Sequence, residues 1–124
     1  MALQELRVVV IYCRPSGLFV VGRYMKHHDV KILEEYWDVS GFFYQLRQGD
    51  FDYKAYTEFL LVLKRMEPDE SITVEKRIVS LLWFIPVFMR WQTERVAEKG
   101  ADMEIYRRAE DEIVDELIRI LGIP

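Results

Sequence analysis

The sequence predicts a mainly α-helical protein: a compact bundle around a central helix that a proline kinks. Residues 78–91 carry this prediction, because only Ser80 and Arg90 interrupt an otherwise apolar run. Most other apolar residues from position 29 onward recur at helical spacing. A helix that is apolar on every side must be covered on every side. We therefore expect the rest of the chain, partly helped by a neighbouring subunit, to enclose it.

Length and composition predict a single domain over residues 1–124. The chain is 51% hydrophobic and 14% aromatic, which suits one real core and is unlike a disordered protein. The net charge of −4 predicts no general attraction to nucleic acid or to a membrane. The charge is uneven, however, because the first 32 residues hold five Lys or Arg against two Asp or Glu. Residues 100–124 are acidic in turn.

Cysteine and amide content bear on location. Cys13 is the one cysteine, so a disulfide within the chain is impossible and we expect a reducing, cytoplasmic environment. The apolar run at residues 8–12 is too short for a signal peptide. The chain has no asparagine and 31% charged residues, a composition typical of thermophilic proteins.

Residues 1–28 are predicted to form a β-hairpin. Two runs rich in β-branched and aromatic residues, 6–13 and 18–25, flank the segment 14–17, whose Arg-Pro-Ser-Gly sequence fits a type I turn. Two short helices are the alternative, because residues 2–6 favour a helix, and the protein would then be all-α.

Four helices follow, at 29–49, 52–67, 72–99 and 102–121. Aspartates stand where three of them begin and can cap them. Ser40-Gly41 predicts a kink or break in the first helix. Pro86 predicts a kink in the third, because proline lacks a backbone donor and clashes with the preceding turn; a restart of the helix at Pro86 is the alternative. We find no internal repeat in the sequence.

No residue pattern indicates catalysis or a cofactor. The most site-like cluster is His27-His28-Asp29, but adjacent histidines point in different directions and no third histidine exists. A solvated helix start is the better interpretation. The glycines form no phosphate-binding motif, and Cys13 has no neighbouring base in sequence. We therefore expect no enzyme activity, no metal and no cofactor.

A surplus of aromatic residues carries the main functional hypothesis. Tyrosine and tryptophan dominate the energetics of protein interfaces, and a domain of this size will hardly enclose them all. The surplus includes Trp83 and Trp91 of the central helix. The candidate interface residues are Tyr12, Tyr24, Tyr36, Trp37 and Tyr44. We expect a small interaction or scaffold protein that forms homo-oligomers through an aromatic-rich helical or strand-edge interface.

The alternative hypothesis is a nucleic-acid-associated protein. Basic residues alternate with aromatic residues near the N-terminus, a composition that can follow phosphates and stack on bases. The candidate contacts, for nucleic acid or for a protein partner, are Arg7, Arg14, Arg23, Lys26, His27 and His28. On a hairpin these side chains need not share one face.

Overall fold

A computed structural model describes residues 27–68 and 74–124. Within these ranges the chain forms α-helices and no β-strand, so the prediction of a mainly α-helical protein is confirmed. The helices are α1 (His27–Trp37), α2 (Phe42–Arg47), α3 (Tyr53–Arg65), α4 (Lys76–Trp91), α5 (Thr93–Glu98) and α6 (Met103–Leu121). The predicted hairpin and its all-helical alternative lie outside the described residues, apart from two histidines.

Those histidines, His27 and His28, begin α1, two residues before the helix start predicted at residue 29. The buried acidic residue Asp29 lies in the same first turn. A negative charge there favours a helix start, because the free backbone amides of the first turn carry partial positive charge.

Two of the predicted helices are each divided in two. The segment 29–49 breaks between α1 and α2, where Ser40 has a left-handed φ of 73°, as the Ser40-Gly41 pair suggested. The segment 72–99 breaks at Gln92, where no break was predicted. There the Thr93 hydroxyl donates to the backbone carbonyl of Met89, at 3.4 Å, and such a side-chain bond competes with the regular helix pattern.

Helix α4 runs through Pro86 without restarting, so the restart alternative is wrong. The kink at this proline stays a prediction. The helix is nevertheless the centre of the core: its inner face is buried and packs against α1 and α6. The buried residues of this face are Ile78, Leu81, Leu82, Ile85, Phe88 and Met89.

The described chain repeats one order of elements. Each half has a first helix, a helix of six residues, a glycine turn and a final helix that begins after an aspartate cap. Gly49 and Gly100 make the two turns with left-handed φ values of 93° and 90°, a conformation that glycine adopts without steric cost. Asp52 and Asp102 then accept backbone N–H bonds from the next helix. Glycine and aspartate recur at these turns but at different spacing, so the sequence alone does not show the repeat that the backbone has.

Two contacts set the direction of α1 relative to α4. Arg77 of α4 forms an ion pair with Glu34 of α1 at 2.9 Å, and the indole N–H of Trp37 donates to the carbonyl of Leu81 at 3.1 Å. Moving three residues along α1 therefore corresponds to moving four along α4. The two helices run parallel.

Helices α3 and α6 are related in the same way. The Tyr56 hydroxyl donates to the Glu112 carboxylate at 2.5 Å and lies 3.4 Å from the Ala109 carbonyl, and further along both helices Arg119 donates to the Leu63 carbonyl at 2.8 Å. These helices are also parallel. The corresponding helices of the two halves thus share a direction.

Candidate interaction surface

The outer face of α4 is apolar and exposed. Trp83 is 54% exposed and Trp91 is 66% exposed. Val87 lies midway between them, one helical turn from each, and is half-buried. Within the part of the chain that the structure describes, the prediction that this helix is covered on every side is therefore wrong. The physical reason is that α1 and α6 cover the inner face and its flanks only.

Phe84 joins the two exposed indoles. Its ring centroid lies 5.5 Å from that of Trp83 and 5.5 Å from that of Trp91, both in edge-to-face geometry. Phe84 also contacts the ring of Trp37 at 6.2 Å, which connects the exposed rings to the core. Aromatic pairs in this geometry hold each other in place. We call Trp83, Phe84, Val87 and Trp91 the aromatic ridge.

Side-chain hydrogen bonds from neighbouring helices hold α4 in its rotation. The buried Tyr106 hydroxyl donates to the Met89 carbonyl at 2.6 Å, and Trp37 donates to the Leu81 carbonyl on the other side of the inner face. Burial, and secondarily the charge of Glu110, raises the pKa of Tyr106 well above its ordinary value. The hydroxyl therefore stays a donor at neutral pH, and the ridge stays turned outward.

Basic side chains accompany the ridge. The apolar helix α4 contains Lys76, Arg77 and Arg90 and no acidic residue. Arg77 is paired with Glu34, whereas Arg90 lies exposed beside the ridge. The positive charge of Arg90 also reaches Glu110 of α6, where it opposes the larger effect of burial, which raises the pKa of the Glu110 carboxyl.

Helix α6 also exposes two apolar side chains. Val114 is 37% exposed and Ile118 is 45% exposed. The charge of Arg90 of α4 reaches Glu110 of α6. At about 100° per residue, Val114 lies roughly 40° and Ile118 roughly 80° around α6 from Glu110, so these two side chains do not follow the border with α4.

The residues singled out from the sequence have varied positions. The described ones among the candidate aromatics, Tyr36, Trp37 and Tyr44, are half-buried. The Tyr36 ring packs 4.9 Å from Phe59, and the Trp37 ring stacks 4.2 Å from Phe43. The rings of Tyr36 and Trp37 thus take part in packing within the chain.

The remaining candidates lie outside what the structure describes. These are Arg7, Tyr12, Arg14, Arg23, Tyr24 and Lys26, together with the side chains of His27 and His28. The basic N-terminal surface and its role in nucleic-acid binding stay predictions.

The sequence analysis counted Trp83 and Trp91 in the aromatic surplus but did not name them among the candidate interface residues. A signal was present: the polar residues of the run, Ser80 and Arg90, fall on the same side of the helix as Trp83. They mark the outer face of α4.

A shallow depression lies between the two glycine turns. It has a volume of about 260 Å³ and is lined by residues 49–52 and 99–101. Lys99 and Asp50 form an ion pair there at 3.1 Å, and the Asp52 carboxylate accepts the amides of its own helix. The polar groups of this depression are therefore engaged with one another.

Among residues 27–68 and 74–124, no group of His, Cys, Asp and Glu is arranged to hold a metal ion. In the same part of the chain, every helix is too short or too polar to span a bilayer. Comparison of the chain with protein-family models, curated proteins and solved structures found no match.

Proposed function

We propose that this protein is a small cytoplasmic interaction or scaffold protein that self-associates through the aromatic ridge of α4. The observation that carries the proposal is the exposure of Trp83 and Trp91, at 54% and 66%, on the helix whose opposite face builds the core. Tryptophan is the residue most enriched at the energetic centres of protein interfaces. A protein that only needed to fold would gain nothing from two wetted indoles on one helix.

The size of the ridge predicts the strength of the association. Covering two half-exposed indoles on each of two copies removes about 400 Å² from water, since a tryptophan side chain buries roughly 200 Å² when fully covered. A stable dimer buries about 1,200–2,000 Å² in total. The ridge supplies only part of such an area, so we expect a weak dimer whose population depends on protein concentration.

Sedimentation equilibrium tests the proposal. We expect the wild-type protein to form dimers with rising concentration, and the double variant Trp83→Ala/Trp91→Ala to dissociate at least 30-fold more readily, because each interface centre contributes about 2 kcal/mol. The matched control is Leu61→Ala on α3, which removes a side chain that is 51% exposed but lies off the ridge. It should associate like the wild type.

Two results would contradict the proposal. One is a wild-type chain that stays monomeric from low to high concentration. The other is a double variant that dimerises as well as the Leu61→Ala control.

A further inference from the structure

We infer that two copies pack α4 against α4 in opposite directions, about a two-fold axis that passes through Val87. The inference rests on the proposed function and adds which surface of the second copy meets the ridge. Symmetric dimers use the same patch on both subunits, so the patch must complement itself. The residues around Val87 meet this condition.

The ridge has complementary residues at equal distances from Val87. Trp83 and Trp91 lie four positions before and after it, and Phe84 and Arg90 lie three positions before and after it. When the helix is turned end for end about Val87, ring positions fall opposite ring or guanidinium positions. A guanidinium placed over an aromatic face is attracted by the electrons of the ring.

The angular positions of these residues around the helix allow the same pairing as their positions along it. At about 100° per residue, Trp83 and Arg90 lie to one side of Val87, at roughly 40° and 60°, while Phe84 and Trp91 lie to the other side at similar angles. A two-fold axis perpendicular to the helices brings the side of one copy that carries Trp83 and Arg90 against the same side of the second copy. Trp83 of one copy therefore meets Arg90 of the second copy. Phe84 in turn meets Trp91 of the second copy.

A parallel arrangement is disfavoured by charge. It would set Lys76 directly against Lys76 across helix axes that are about 8–10 Å apart, with the two Arg90 residues at one level on opposite sides of the contact. Helix α4 has no acidic residue to compensate for this repulsion. The antiparallel arrangement instead places each Arg90 on a ring, and Lys76 lies beyond the ridge. The charges of α4 thus favour one of the two symmetric pairings.

Cysteine cross-linking tests the arrangement. In a Cys13→Ser background, which removes the single native thiol, Val87→Cys lies on the proposed axis. We expect oxidation to convert most of this variant into a covalent dimer that reductant dissolves. The matched control is Ser80→Cys on the same exposed face. In the antiparallel pair its two copies are about 21 Å apart along the axis, beyond the roughly 7 Å that a disulfide spans, so it should stay uncrosslinked.

Substitution of the cation gives an independent readout. Arg90→Glu should raise the dissociation constant at least tenfold, because the ring loses its cationic partner. Lys76→Glu, which makes the same charge change outside the ridge, should change it less than twofold.

The outcomes separate the two proposals. A chain that is dimeric by sedimentation but links through Ser80→Cys as readily as through Val87→Cys overturns the antiparallel inference, while the proposed function stands. A dimer in which Val87→Cys does not link, or in which Lys76→Glu weakens association as much as Arg90→Glu, overturns it as well. A chain that is monomeric throughout overturns both proposals.

Discussion

Helix α4 has two apolar faces that differ in what covers them. Leu82 and Ile85 on the inner face are fully buried, whereas Trp83 and Trp91 on the outer face are more than half exposed. Leu82 and Trp83 are neighbours in sequence, so hydrophobicity does not distinguish the two faces. Their neighbours do, because α1 and α6 cover one side of the helix only. The inner face therefore serves folding, and the outer face is available to a partner.

The largest expected effect is on folding stability. Leu82→Ala should lower the free energy of unfolding by about 2–5 kcal/mol, because it leaves a cavity in the core. Trp83→Ala should lower it by about 1 kcal/mol or less, although it removes a larger side chain, because over half of that side chain is already in water. Urea unfolding at a dilution that keeps the chain monomeric measures both.

Equal losses of unfolding free energy in the two variants would contradict this difference between the two faces. They would mean that the outer face contributes to the folding of a single chain as much as the inner face does.

A smaller effect concerns pH. Burial raises the pKa of Tyr56 and of Tyr106 above the ordinary value of 10.0. In the unfolded chain these hydroxyls lose their protons near pH 10, whereas in the folded chain they keep them. Their contribution to stability is therefore complete below pH 10 and is lost as the pH rises above it, by about 1 kcal/mol per pH unit for each tyrosine.

Urea unfolding between pH 9 and pH 11.5 checks this slope. The double variant Tyr56→Phe/Tyr106→Phe has no such hydroxyls and should show a flatter profile. The exposed Tyr53, which is 54% exposed, provides the control, since Tyr53→Phe should leave the wild-type slope in place. An identical slope in the double variant would show that the hydroxyls of Tyr56 and Tyr106 do not titrate as their burial requires.

Local signals in the sequence accounted for the final helix of each half. The apolar stripes of α3 and α6 and the aspartates in front of them predicted helices at 52–67 and 102–121, and the structure has them at Tyr53–Arg65 and Met103–Leu121. Asp52 and Asp102 accept the backbone amides that a cap should accept. Both signals act within a few residues, so one sequence is enough to show them.

Features that depend on packing could not be predicted in this way. The break at Gln92 lies beside the Thr93 hydroxyl, which donates to the Met89 carbonyl, and the repeated order of helices lies in the backbone. The exposure of the ridge depends on which helices pack around α4. For a helix that is apolar all round, only the positions of Ser80 and Arg90 point to the open side.

Indole accessibility, measured as a function of protein concentration, shows most directly whether a second copy covers the aromatic ridge. If a second copy covers the ridge, acrylamide should quench tryptophan fluorescence weakly at high concentration and strongly on dilution, with emission moving to longer wavelength. Trp37 is half-buried and packed within the chain, so it should contribute a constant background. Quenching that is strong and unchanged at every concentration would show that Trp83 and Trp91 stay in water, and would contradict the account.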